Sequence, residues 1–228
     1  MSDGAFALDE ALFHAARAAL GERRQLLWLI GGSGSGKSTI SRAIAAQTGV
    51  SVYDMDEAFF GRYRFDPQRH PATTAWFAAE NPLGWMLSLE WPEFNALYRA
   101  SNAEMLDLLA DDLAGRADEP LLIDGGITHP SVLARVIPIE RIVCLEREAG
   151  AGAREWEAAE SRAEMKGAVL ALPDGAAMWA RFLDYDRHLT ATVGRESREL
   201  GITTLAWDSA TSVEALMAAI MAQANWHH

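Results

Sequence analysis

The sequence contains one cysteine, Cys144, in 228 residues. No internal disulfide can form, and no spaced set of cysteines is available to hold a metal. A lone thiol fits an intracellular chain. Long apolar runs are missing as well. None approaches the ~20 residues that a bilayer-crossing helix needs, so no transmembrane span is expected. The start, Met1-Ser2-Asp3-Gly4, has neither the basic opening nor the apolar stretch of a secretory signal. A cytoplasmic location is the expectation. The end, Trp226-His227-His228, is given no weight. Positive charge is scarce too: 20 Lys and Arg stand against 32 Asp and Glu, a net charge of −12. Binding a polyphosphate strand requires Lys and Arg to displace counterions. Nucleic acid and anionic membrane are therefore not expected as main partners, although a local basic pocket for one small phosphate ligand remains compatible with the total. Internal repeats and low-complexity linkers are also absent.

Half of the residues are hydrophobic and 23% are charged, an ordinary balance for one globular domain with a large core. Short apolar runs alternate with stretches of helical spacing. Strands are predicted at Gln25–Ile30, Val50–Asp54, Leu121–Asp124, Arg141–Leu145 and Ile202–Trp207. Five strands separated by helices predict a mostly parallel sheet covered on both faces. Leu8–Leu20 is amphipathic and stops at Gly21. Ser101-Asn102-Ala103-Glu104 and Thr211-Ser212-Val213-Glu214 have the form of capping boxes, and Pro71 and Pro92 suit first turns. A long segment, residues 58–119, separates the second and third strands. It greatly exceeds the usual ~2–6 residues of such a connection and is read as a helical insertion that carries the binding site for a second substrate.

The strongest signal is Gly31-Gly32-Ser33-Gly34-Ser35-Gly36-Lys37-Ser38-Thr39. It matches G-x-x-x-x-G-K-[ST] without departure, between a strand and a helix as that loop requires. The glycines let backbone N–H groups close on phosphate oxygens. The following helix turns its positive end to the same anion. Lys37 can reach the β- and γ-phosphates, and the Ser38 hydroxyl suits a magnesium ion. The pattern predicts binding of ATP with Mg2+. No Asn-Lys-x-Asp guanine motif and no Leu-Ser-Gly-Gly-Gln run is present, which argues against a GTPase and a transporter ATPase.

Carboxylates follow the strands. Asp54 and Asp56 would share a face if the second strand ran through both. Asp56 is then the candidate base for an attacking hydroxyl and Asp54 a magnesium-associated group. Asp residues here also serve simply as helix or turn caps. Asp124 ends the third strand and supports the metal, with Gly125 and Gly126 allowing close approach of a substrate.

With its loop and the run Thr48-Gly49-Val50-Ser51-Val52-Tyr53-Asp54-Met55-Asp56, the chain resembles the small-molecule P-loop kinases. The Asp-x-Asp is similar to shikimate kinase-like enzymes. Asp56 followed by Phe59 and Phe60 is similar to uridine kinase-like enzymes. The resemblance covers the first quarter of the chain, and the long insertion and the Asp-Gly-Gly ending depart from both groups. It implies an α/β P-loop NTPase fold of the nucleoside monophosphate kinase type: a three-layer α/β/α sandwich on a five-stranded parallel sheet. A helical insertion follows strand 2, and an Arg-bearing lid at residues 147–170 follows strand 4. Arg154 and Arg162 are the lid candidates for clamping the transferred group, against the alternative of a solvated helix face with mixed charges. Phe60, Arg62, Arg64, Asp56 and Gly125 are the candidate acceptor contacts. Aromatic residues of the insertion serve equally as core. The activity expected is ATP-dependent phosphoryl transfer to the hydroxyl of a small molecule, by a single domain acting as monomer or homodimer. A nucleoside monophosphate kinase and an ATP-binding regulatory protein with slow hydrolysis stay open.

Overall fold

The computed structural model describes residues 6–148, 150–208, 210–224 and 226, without the side chain of Ser161. The start Met1–Gly4 and the pair His227-His228, read above, lie outside the described residues. The five apolar runs form the strands β1 (Leu26–Gly31), β2 (Ser51–Asp54), β3 (Leu121–Asp124), β4 (Ile142–Glu146) and β5 (Thr203–Ala206). They make one sheet in the order β2-β3-β1-β4-β5, with every pairing parallel. The central strand reads as an unbroken apolar run because both of its faces are covered. Leu26, Trp28 and Ile30 enter one core while Leu27 and Leu29 enter the other, as the two-residue period of a strand requires.

Among the described residues, eleven α-helices accompany the sheet. Helix α1 (Glu10–Leu20) precedes β1, and α2 (Lys37–Thr48) follows it directly. Between β2 and β3 lie α3 (Met55–Glu57), a π-helical turn at Ala58–Arg62, α4 (Pro71–Phe77), α5 (Pro82–Ser88) and α6 (Trp91–Leu113). Helix α7 (Pro130–Leu133) leads toward β4. After β4 come α8 (Ala151–Ala158), α9 (Ala163–Leu170) and α10 (Gly175–Leu200), and α11 (Val213–Met221) follows β5. Residues of α1 and α6 pack in one core, and residues of α2 and α11 in the other. A third apolar cluster, away from the sheet, joins the insertion to α8, α9 and α10 through Phe94, Leu97, Trp156, Val169 and Trp179. No described helix is long and apolar enough to cross a membrane.

Two local expectations change. Ser101–Glu104 does not start a helix but lies inside α6, which begins at Trp91 with Pro92 in its first turn. The buried Glu104 carboxylate instead accepts from the backbone N–H groups of Ala72 and Thr73, both at 2.8 Å, and so caps α4 from a neighbouring helix. The last helix is capped by Ser212, whose hydroxyl accepts from Ala215 N–H at 3.1 Å, one residue later than the box placed it.

Asp107 on α6, with a fully buried side chain, joins Arg69 at 2.6 Å and His70 at 3.0 Å. Burial alone would raise its pKa, but the bonds from His70 and Arg69 outweigh it and hold the carboxyl below its ordinary value. A depressed folded-state pKa stabilises the fold above the unfolded value, and that stabilisation disappears as pH falls through the folded pKa. Asp107→Asn should therefore lower stability at neutral pH by about 1–3 kcal/mol, with the deficit shrinking in acid. Urea unfolding at two pH values measures both.

Candidate active site

Gly31 ends β1, and its chain turns through residues 32–36 into α2. The N-cap of α2 is Gly36, which has no side chain to bond the open N–H groups of the first turn. Those groups and the helix dipole form the electropositive part of the loop. Lys37 lies across it, its ammonium donating to Gly31 O at 2.9 Å, Gly32 O at 3.0 Å and Ser35 Oγ at 3.3 Å. Burial pushes the Lys37 pKa down, while Asp124 and Asp56 push it up, with a net lowering.

The sheet sets the carboxylates beside this loop. Leu29 of β1 is level with Asp124 of β3, and Asp124 is level with Asp54 of β2. Asp124 is 5% exposed. Burial raises its carboxyl pKa, and the Ser38 hydroxyl and Lys37 pull it back in part. Its Oδ1 is buried with no hydrogen-bond partner among the described residues. A buried carboxylate oxygen without a donor, next to the Ser38 hydroxyl, is a donor set that fits one hard cation sharing its remaining positions with water and phosphate. The described residues include no group of three His, Cys, Asp or Glu side chains suited to a metal, so an ion here would depend on phosphate oxygens for its other ligands.

Asp54 and Asp56 do not share a strand face. β2 stops at Asp54, whose Oδ1 accepts from Glu57 N–H at 2.9 Å and caps α3. Asp56 is already helical. The turn nevertheless carries Asp56 toward the loop: a Cβ on Gly125 would lie 3.6 Å from Lys37 Cε and 3.8 Å from Asp56 Oδ2. Asp56 is exposed at the surface as a residue, although neighbouring atoms crowd its carboxyl group. Burial raises its pKa most, Lys37 opposes, and Asp54 and Asp124 add to the rise.

Of the two arginines expected to serve a lid, Arg162 is the one whose charge bears on the site. Its guanidinium stacks 4.3 Å from the centre of the Trp156 ring, and its charge bears on Lys37, Asp56 and Asp186. Arg154 is exposed and pairs with Glu148. The basic residues of the insertion do not gather at Asp56. Arg62 lies 4.9 Å over the Tyr53 ring. Arg64 donates to the backbone carbonyls of Arg62 and Tyr63. Arg69 and His70 are held by Asp107. Phe60, 62% exposed, packs with Phe59, Trp76 and Phe77 in an aromatic group one turn beyond Asp56. Tyr98 of α6 stacks on Trp76 and is near enough to both Asp56 and Asp186 to feel their charges.

Several neighbours of the loop had no contact with it assigned from the sequence, where Arg147 stood only among the basic residues that follow the fourth strand. Trp207, just past β5, donates its indole N–H to Ser35 O at 2.8 Å and lies against Gly36. Arg147, just past β4, stacks 4.9 Å from the Trp207 ring. Thr190 and Asp186 of α10 touch Gly32 and Ser33. The one available signal was position: Trp207 and Arg147 follow strand ends, and in a parallel sheet these converge on the ligand edge. Asp186 carried none.

Against known proteins, no family model matches the chain, and no curated protein matches it. The likeness is one of structure. A crystal structure of TT1252 from Thermus thermophilus superposes with a TM-score of 0.52 at 18% identity, over 87% of this chain and 96% of that one. Shikimate kinase from Acinetobacter baumannii in complex with shikimate gives a TM-score of 0.47 at 16% identity, over 92% of this chain and 94% of that one. The fold is the P-loop, three-layer α/β/α sandwich on five parallel strands, with helical segments after β2 and β4.

The backbone under the site depends on Gly125 and Gly126, both left-handed with φ of 70° and 76°. A Cβ on Gly126 would come within 2.4 Å of Met55 Cβ, the residue before Asp56. Gly126→Ala should cost about 2 kcal/mol or more through backbone strain and this clash, read as a fall in the urea midpoint.

Proposed function

We propose that the protein transfers the γ-phosphoryl group of ATP, with magnesium, to a hydroxyl group of a small molecule. The observation that carries this reading is the meeting of Lys37 and Asp56 above Gly125, on the sheet edge that also holds Ser38 and Asp124. One side of that meeting point suits phosphate and the other suits a proton acceptor. A protein that only held nucleotide would have no use for the second.

In this reading the backbone of Gly31–Thr39 cradles the phosphates. Lys37 leaves the carbonyls of Gly31 and Gly32 for phosphate oxygens and offsets charge on the departing group. Ser38 and Asp124 would hold magnesium, which would offset the negative charge of the phosphates. Asp54 orders the turn that carries Asp56 and adds negative charge nearby. Asp56 accepts the acceptor's hydroxyl proton on its Oδ2 side, and its upward-shifted pKa makes it a stronger base than an ordinary carboxylate. Arg162 clamps the transferring group bidentately, and the segment over the site excludes water that would hydrolyse ATP. Recognition of the acceptor falls to Phe60, Trp76 and Tyr98. A nucleotide acceptor would call for several arginines at Asp56, and the insertion's arginines described above are engaged elsewhere.

Asp56→Asn should reduce acceptor-dependent turnover by ~10²–10⁴-fold with ATP affinity nearly unchanged. It should also remove an acid limb of the kcat/KM profile that lies above the usual carboxylate range. Near-normal turnover in that variant would eliminate the role of base. Lys37→Ala should weaken both nucleotide binding and rate. A panel of hydroxyl compounds tested by thermal shift with Mg·AMPPNP identifies the acceptor. A ligand at ~100 times its Kd adds about 2.7 kcal/mol to stability.

A further inference from the structure

Asp186 on α10 touches the phosphate loop at Ser33, and the reaction described above gives it no task. Its Oδ1 accepts from the Ser33 hydroxyl. The Trp156 indole N–H, buried and without a hydrogen-bond partner among the described residues, lies beside the same carboxylate. Helix α8, which carries Trp156, approaches because residue 152 is glycine: a Cβ there would lie 3.0 Å from Ser33 O and 3.2 Å from Asp186 Oδ2. Arg162 in turn rests on Trp156. One carboxylate therefore meets the loop, the segment after β4 and, through Trp156, the arginine assigned to the transferred group.

Its side of the loop matters. Lys37, whose ammonium is to meet the terminal phosphates, bonds Gly32 O, the residue next to the Ser33 that Asp186 holds, so Asp186 lies at the end of the loop where the terminal phosphate must sit for transfer. A terminal phosphate there meets a like charge within a few ångströms, in a site where screening by water is reduced. A diphosphate, ending short of that position, meets less of it.

We infer that Asp186 is a positioning residue that ties helix α8 to the phosphate loop through Ser33 and opposes the terminal phosphate of a bound triphosphate, setting the protein's preference between ATP and ADP. This rests on the reading that Gly31–Thr39 bind a nucleotide's phosphates. In chemical terms, part of the triphosphate's binding energy is offset by a negative charge held beside the group to be transferred.

Calorimetry with Mg·AMPPNP and Mg·ADP tests this on the wild type and on Asp186→Asn, which keeps an acceptor oxygen toward Ser33 while removing the charge. The expected result is tightening of Mg·AMPPNP by about tenfold, the scale of one partly screened like-charge contact, with Mg·ADP altered by about twofold or less. A purely structural role would move both nucleotides together. Equal changes, no change, or weaker AMPPNP binding overturns the inference and leaves the proposed function standing. A wild type that binds neither nucleotide overturns both. Ser33→Ala breaks the tie from the loop side. Amide exchange across Ala151–Ala158 should then speed up relative to wild type, and unchanged exchange removes the tie whether or not Asp186→Asn folds.

Discussion

One row across the sheet decides where the chemistry can be. Leu29, Asp124 and Asp54 stand level on β1, β3 and β2, so the first strand turns into its phosphate loop beside the two strands that end in acids. The row is pinned from below. Trp28, buried in the central strand, donates its indole N–H to Gly125 O at 3.0 Å, and Gly125 N–H bonds Leu29 O at 3.0 Å. These two bonds fix the turn after β3 to the strand before the loop. The spacing of Ser38, Asp124, Lys37 and Asp56 then follows from the backbone, without relying on the reach of flexible side chains.

Around that row the charges are arranged closely and in opposition. Lys37 is partly desolvated beside Asp124 and Asp56, while the carboxyls of Asp56, Asp124 and Asp186 are pushed up by burial and pulled back by Lys37 or Ser38, Ser33 and Arg162. Each charge in the cluster is opposed by burial and supported by a neighbour. The chain's large negative total is thus a poor guide to the site. What matters there is the local meeting of one ammonium and one guanidinium with backbone N–H groups.

Much of this was legible in the sequence because its signals are local. A strand, a glycine-rich turn and a lysine at the start of a helix occupy adjacent positions, and the five apolar runs mark the sheet to within a residue or two. The carboxylate geometry was legible only in part: the strand stops at Asp54, since Asp54 caps the following turn, and alternation along the strand therefore does not reach Asp56. Glu104 misled because a capping box is a local pattern, whereas the helix it caps belongs to a segment some thirty residues earlier, reached only through tertiary packing. Asp186 and Thr190 were silent for a similar reason. They lie within a long helix of mixed composition, and only the crossing of that helix over the loop gives them neighbours. The arginines of the insertion were over-read, because a cluster in sequence says nothing about the groups that engage them: the Tyr53 ring for Arg62, backbone carbonyls for Arg64 and Asp107 for Arg69.

The contact of Trp207 with the loop has a consequence for how the protein comes into being. Residues 31–39 leave the ribosome early, but the indole that bonds Ser35 O and covers Gly36 belongs to the chain just beyond the last strand. The segments of α10 that meet Gly32 and Ser33 also come late. During synthesis, a nascent chain displays the complete loop motif long before it owns the walls around it. The walls of the loop are therefore complete only once β5 has joined the sheet's edge.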